Sequence, residues 1–191
     1  MVNTAKVEPG RSAVIIGAGG VGLNAVQGAA LAAARSFGAT HAVNIDGMEA
    51  PEEAIRELTS GRGADYVFVT VGSTQVITQG FAMLGKRGLE VLVGLPESGA
   101  TFSVPVWSFI NECRITGSLM GSTRLSVEVP HLVDLYQHQR LKLDELISAR
   151  YPLEQINEAI ESTEKGGALR NVYRILIPSL PVHTSKLQQV I

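Results

Sequence analysis

Short apolar runs alternate along the chain with longer stretches of helical period. Ala13–Ile16, AVII, predicts a buried strand that breaks at Gly17 into glycines. Gly20 to about Phe37 is alanine-rich and predicts one long helix stopped by Gly38. Thr40–Ile45 predicts a second strand. Pro51–Thr59 predicts an amphipathic helix, with Pro51 near its start and Glu52 and Glu53 in the first turn, where the helix dipole favours negative charge. Asp65–Val71 and Leu89–Gly94 are continuous apolar runs, the pattern of parallel strands buried on both faces, and Thr74–Leu84 between them predicts a helix. Further on, Pro105–Cys113 predicts a short helix and Arg114–Leu119 a strand. Val127–His138 and Leu153–Thr163 predict two helices, and Val172–Ile177 a final strand.

Strands joined through helices predict an α/β fold with a parallel sheet covered on both faces. The polar residues 1–12 predict a linker, residues 13–177 one domain, and residues 178–191, with two prolines, a tail outside the sheet.

The glycines after the first strand carry the chemistry. Gly17, Gly19 and Gly22 have the G-x-G-x-x-G spacing. Gly17 permits the turn, Gly19 lets the backbone approach phosphates, and Gly22 lets helix and strand pack closely. The amides of Gly20 and Val21 fall in the first helical turn, where free N–H donors and the dipole suit a dinucleotide pyrophosphate. A glycine-rich turn in another α/β protein has the same letters, so the strand before and the helix after the motif are what favour the dinucleotide. Three later strands also end in small residues, at Val71-Gly72-Ser73, Val93-Gly94-Leu95 and Leu119-Met120-Gly121. Ligands of open parallel sheets bind beyond such carboxyl ends, although any strand end needs a turn.

Composition narrows the partners. The 191 residues are 45% hydrophobic and 18% charged, which predicts a globular chain. A net charge of −2 without a basic block argues against nucleic acid or an acidic membrane as partner. No apolar run reaches membrane-spanning length and no signal peptide is visible. A single cysteine, Cys113, allows no internal disulfide and fits a cytoplasmic setting.

The segments AVIIGAGGVGLNAVQGAALA, SFGATHAVN, GADYVFVTVGS, GLEVLVGLP, ITGSLMGS and GGALRNVYRI resemble, in order, the cofactor-binding domain of zinc-type medium-chain alcohol dehydrogenases. The likeness is strongest to the branch similar to formaldehyde and glutathione-linked dehydrogenases. The resemblance implies a Rossmann-type doubly wound sheet and hydride transfer from an alcohol to NAD. It implies a pyrophosphate turn at Gly17, Gly19, Gly20, Val21 and Gly22, and a ribose contact at Val71 and Gly72. It also implies a nicotinamide floor at Val93, Gly94 and Leu95, a carboxamide contact at Leu119 to Gly121, and a pyrophosphate clamp at Arg170. A guanidinium forks well onto phosphate oxygens, while a solvated surface arginine is the plainer reading of Arg170.

Two departures from the family shape the expectation. Its catalytic zinc domain has no counterpart in this chain, and a catalytic zinc needs about three protein ligands. One cysteine and four scattered histidines, His41, His131, His138 and His183, supply no such set, so neither bound zinc nor a catalytic residue is expected. Inside the domain, between LNAVQGAALA and AARSFGATH, the family has another strand and the acid that grips the adenosine ribose, both absent here. A sheet one strand short is therefore expected. Asp46 is the substitute acid, further from Gly17 than the roughly twenty residues usual for that role, or else a surface turn residue. If Thr40–Ile45 pairs beside Ala13–Ile16, Asp46 comes near the ribose. The expectation is a dinucleotide-binding domain inactive by itself, with NAD preferred and NADP open. Alternatives are a dimerisation module acting through residues 104–121 or a truncated product without a role.

Overall fold

In the computed structural model the described residues are 2–17, 39–45, 47–165, 168 and 170–174. Contacts divide the chain into two units at Leu143 and Asp144.

The first unit is built on a parallel sheet. Its described strands are β1 (Ala13–Ile16), β2 (Ala64–Val69), β3 (Leu84–Leu92) and β4 (Arg114–Gly117), in that spatial order. Each strand pairs in parallel with the next, Ile16 level with Val69 and Val69 with Leu92. Such order requires a crossover between neighbours. Between β2 and β3 the crossover is α3 (Thr74–Ala82), and α2 (Pro51–Leu58) precedes β2. Along β2 the side chains alternate between the two faces. Val67 and Val69 join Ile55 of α2 and Ile77 and Phe81 of α3 in one core, while Phe68 joins Leu89, Val91 and Ala5 in another. Burial on both faces explains the apolar run Val67–Val69 of β2 and the apolar Leu89, Val91 and Leu92 that flank Glu90 in β3. The residues read as a linker carry the short helix α1 (Val2–Ala5), whose Ala5 is buried with Phe68.

Two polar devices set the amino ends. Asp65 accepts from the Ser12 amide at 2.9 Å and the Ser12 hydroxyl at 2.8 Å, tying β2 to the approach to β1. The Thr59 hydroxyl donates to the Ile55 carbonyl at 2.7 Å and accepts from the Gly63 amide at 2.9 Å, closing the turn from α2 into β2. In β3 the register slips. Ala64 is level with Leu84 but Tyr66 with Leu89, so Gly85–Gly88 are extruded and the continuous strand is Leu89–Leu92.

The predicted strand at Thr40–Ile45 does not form. Those residues hold no strand and β1 pairs with β2 alone among the described residues. None of them is buried, and a parallel strand depends on burial of both faces. Past β4, the helix α4 (Val106–Ile110) having preceded it, α5 (Leu125–Gln137) begins two residues earlier than the pattern predicted and contains Pro130.

The second unit has its own two-stranded parallel sheet, β5 (Ala149–Pro152) with β6 (Asn171–Arg174), joined through a 3-10 turn and α6 (Ile156–Glu164). Asn171 Nδ2 donates to the Ala159 carbonyl at 2.9 Å, fixing α6 to β6. The final predicted strand is thus paired in a separate sheet with β5, a strand that the polar sequence ARYP did not announce.

Candidate functional site

The carboxyl ends of β1, β2 and β3 meet in the first unit. Gly17 follows β1 with a φ of 108°, a conformation that disfavours side chains, and a β-carbon there would lie 2.9 Å from Val71 Cγ1. The Thr70 hydroxyl donates to the Ile16 carbonyl at 3.0 Å and the Thr70 amide to the same oxygen at 3.0 Å. Thr70 therefore carries the β1–β2 pairing one step past the strands. The sequence reading missed it because a threonine at a strand end has no distinguishing pattern.

Beyond Thr70, two glycines interlock main chain with main chain. A β-carbon on Gly72 would collide with the Leu95 carbonyl and lie 3.2 Å from the Pro96 nitrogen. One on Gly94 would collide with the Val71 carbonyl and lie 2.7 Å from the Val71 nitrogen. The Val93 and Gly94 amides both donate to the Val69 carbonyl, at 2.8 and 3.0 Å. Next to them Ser118 N donates to the Leu92 carbonyl at 2.9 Å, so Leu119 leaves β4 on the same edge of the sheet. Met120, Gly121 and Ser122 then turn with positive φ at all three residues.

The structure thus brings Gly17, Val71, Gly72, Val93, Gly94, Leu95 and Leu119 to one edge, with Gly121 in the turn that follows. Gly19, Gly20, Val21, Gly22 and Asp46 lie outside the described residues. Arg170 is exposed in the second unit, its carbonyl accepting from the Ser148 amide at 2.8 Å. Leu95 and Leu119 are 82% and 77% exposed, an apolar surface above strand ends that have no room for further side chains.

Backbone and small residues form the floor of that edge. Metal donors are a different matter. Cys113 is buried and its Sγ donates to the Gly85 carbonyl at 3.3 Å, and burial pushes its thiol up. His138 donates through Nδ1 to the Asp134 carbonyl at 2.8 Å, and His41 and His131 are exposed. No three His, Cys, Asp or Glu side chains converge among the described residues, so the donors there do not fit a zinc ion. Nor is any helix among them long and apolar enough to cross a membrane.

Comparison with known proteins agrees with this geometry. Residues 11–138 match the family model described as zinc-binding dehydrogenase. An alcohol dehydrogenase of Malus domestica is 32% identical over 91% of this chain and 50% of its own length. An NDMA-dependent alcohol dehydrogenase of Amycolatopsis methanolica is 36% identical over 87% of this chain and 50% of its own. The crystal structure of benzyl alcohol dehydrogenase from Acinetobacter calcoaceticus superposes with a TM-score of 0.85 at 32% identity, over 91% of this chain and 52% of that one. The chain spans about half the length of the curated relatives it matches. By the family match across the four-stranded parallel sheet, and by the Rossmann-like α/β fold it shares with alcohol dehydrogenase structures, this chain is a member of the zinc-binding dehydrogenase family.

Proposed function

We propose that the chain binds a nicotinamide dinucleotide along the carboxyl edge of β1 to β4 and serves as the cofactor-binding part of an alcohol dehydrogenase-type oxidoreductase. The observation that carries this reading is the meeting of Gly17, Val71, Gly72 and Gly94 at one sheet edge. When bound, the nicotinamide would supply the hydride acceptor. Gly17, Gly19, Gly20, Val21 and Gly22 hold the pyrophosphate, and Val71 and Gly72 lie beside a ribose. Leu95 and Leu119 offer apolar contact to the nicotinamide end. Asp46 falls out of this reading, because the pairing of Thr40–Ile45 with β1 that was to bring it to the ribose does not form. The reading covers NAD and NADP alike.

The test is calorimetric titration of the folded chain with NADH, using Gly19→Asp as control. Saturable binding lost in the control supports the reading, and a folded chain that takes up no NADH overturns it.

A second reading concerns assembly. Val106, Trp107 and Ile110 are exposed on α4, the helix that precedes β4 in the chain, and Trp107 is 72% exposed. A cluster of exposed large apolar side chains suits a partner. We therefore propose a homodimer through residues 104–121. Light scattering should give a dimer mass that Trp107→Glu reduces, and a wild-type monomer at every concentration would exclude it.

A further inference from the structure

Glu90 stands mid-strand in β3, level with Val67 of β2 and Ile115 of β4. It is 0% exposed, and neither carboxylate oxygen has a hydrogen-bond partner. The side chain lies under α3. A β-carbon on Gly80 would come 2.5 Å from Glu90 Oε1, 3.1 Å from Val69 Cγ2 and 3.2 Å from Ile16 Cδ1. Glycine at position 80 thus leaves the space that the carboxyl group fills.

The charged groups of the surrounding elements are engaged elsewhere. α3 and β1 carry no ionisable side chain. Arg56 of α2 donates to the Ala82 carbonyl at 3.2 Å, and Glu53 and Glu57 are exposed, with Glu52 half-buried. Asp65 of β2 is bonded to Ser12, Cys113 to the Gly85 carbonyl, and Lys86, Arg87 and Arg114 are exposed. A carboxylate with no partner in apolar surroundings keeps its proton rather than its charge, and burial alone pushes Glu90 up to about 8.

We propose that Glu90 is a proton-operated latch between α3 and the sheet. With the carboxyl group neutral, α3 stays seated over Gly80. When the proton passes to solvent, the new carboxylate draws water beneath Gly80 and loosens α3. The Ser73 hydroxyl, which accepts from the Val76 amide at 3.4 Å, caps α3 directly after Gly72, so loosening the helix also loosens the Gly72–Leu95 contact. The latch is independent of whether that edge holds a dinucleotide.

Hydrogen exchange by mass spectrometry on the full chain tests it, with rates divided by the intrinsic chemical rate at each pH. Protection of residues 74–82 should fall about tenfold in wild type between about pH 7 and pH 9 and stay level in Glu90→Gln and Glu90→Leu. Wild type should also show the infrared carbonyl band of a protonated carboxylic acid at neutral pH. Absence of that band overturns the latch even if the variants fail to fold. Equal loss of protection in wild type and a folded variant overturns it as well.

Discussion

Gly94 lies against the backbone of Val71, and no side chain of any size fits between them. The obstructing atoms are main chain, which cannot rotate away. Gly94→Ala should therefore cost about 1–3 kcal/mol, read as a lower midpoint in urea at unchanged slope. An unchanged midpoint would show that the two strand ends part easily.

Gly17 combines a φ of 108° with close approach to Val71. Gly17→Ala should lose about 1–3 kcal/mol of stability from backbone strain. NADH affinity should fall as well, since Gly17 belongs to the pyrophosphate turn of the proposed function. Thermal melts with and without NADH separate the two losses.

Stability should fall as pH rises from near 4.5 towards 8. Glu90 gives up its proton near 4.5 when unfolded and near 8 when folded, so across that interval the folded chain holds a proton that the unfolded chain has lost. The contribution is complete below the lower value and declines by up to about 1.4 kcal/mol per pH unit above it. Melting curves across this range should slope downward in wild type and flatten in Glu90→Gln.

Asp65 should act in the opposite direction at acid pH. Its partial burial raises its carboxyl, but bonds from the Ser12 amide and hydroxyl, with Arg11 and Arg62 nearby, outweigh that and leave it below its ordinary 3.8. Its stabilising effect is present above 3.8 and is lost as pH falls through the lower folded value. Asp65→Asn should cost about 1–3 kcal/mol at neutral pH and remove this acid limb, as equilibrium unfolding at several pH values would show.

Strands announced themselves where both faces are buried. Val67, Phe68 and Val69 need apolar surroundings on either side, so the run is continuous and its meaning plain. The carboxyl-edge glycines were legible for a related reason, since backbone contact leaves them no substitute. Thr40–Ile45 misled because a short, partly apolar alternation describes a half-buried loop equally well. β5 stayed hidden because ARYP carries an arginine and a proline, which suit a short edge strand. Glu90 escaped notice because one acid in a strand looks like an outward-facing residue. Its alignment with Val67 and its place beneath Gly80 show that it faces the core.

The reciprocal fit of Gly72 on Leu95 and Gly94 on Val71 bears on how this edge can evolve. Its spacing is fixed by peptide groups, so substitution cannot adjust it in small steps. The exposed side chains of Leu95 and Leu119 carry no such constraint. A mutational library aimed at ligand preference would find its tolerated variation at those two leucines, with the glycines beneath them acting as a frozen template.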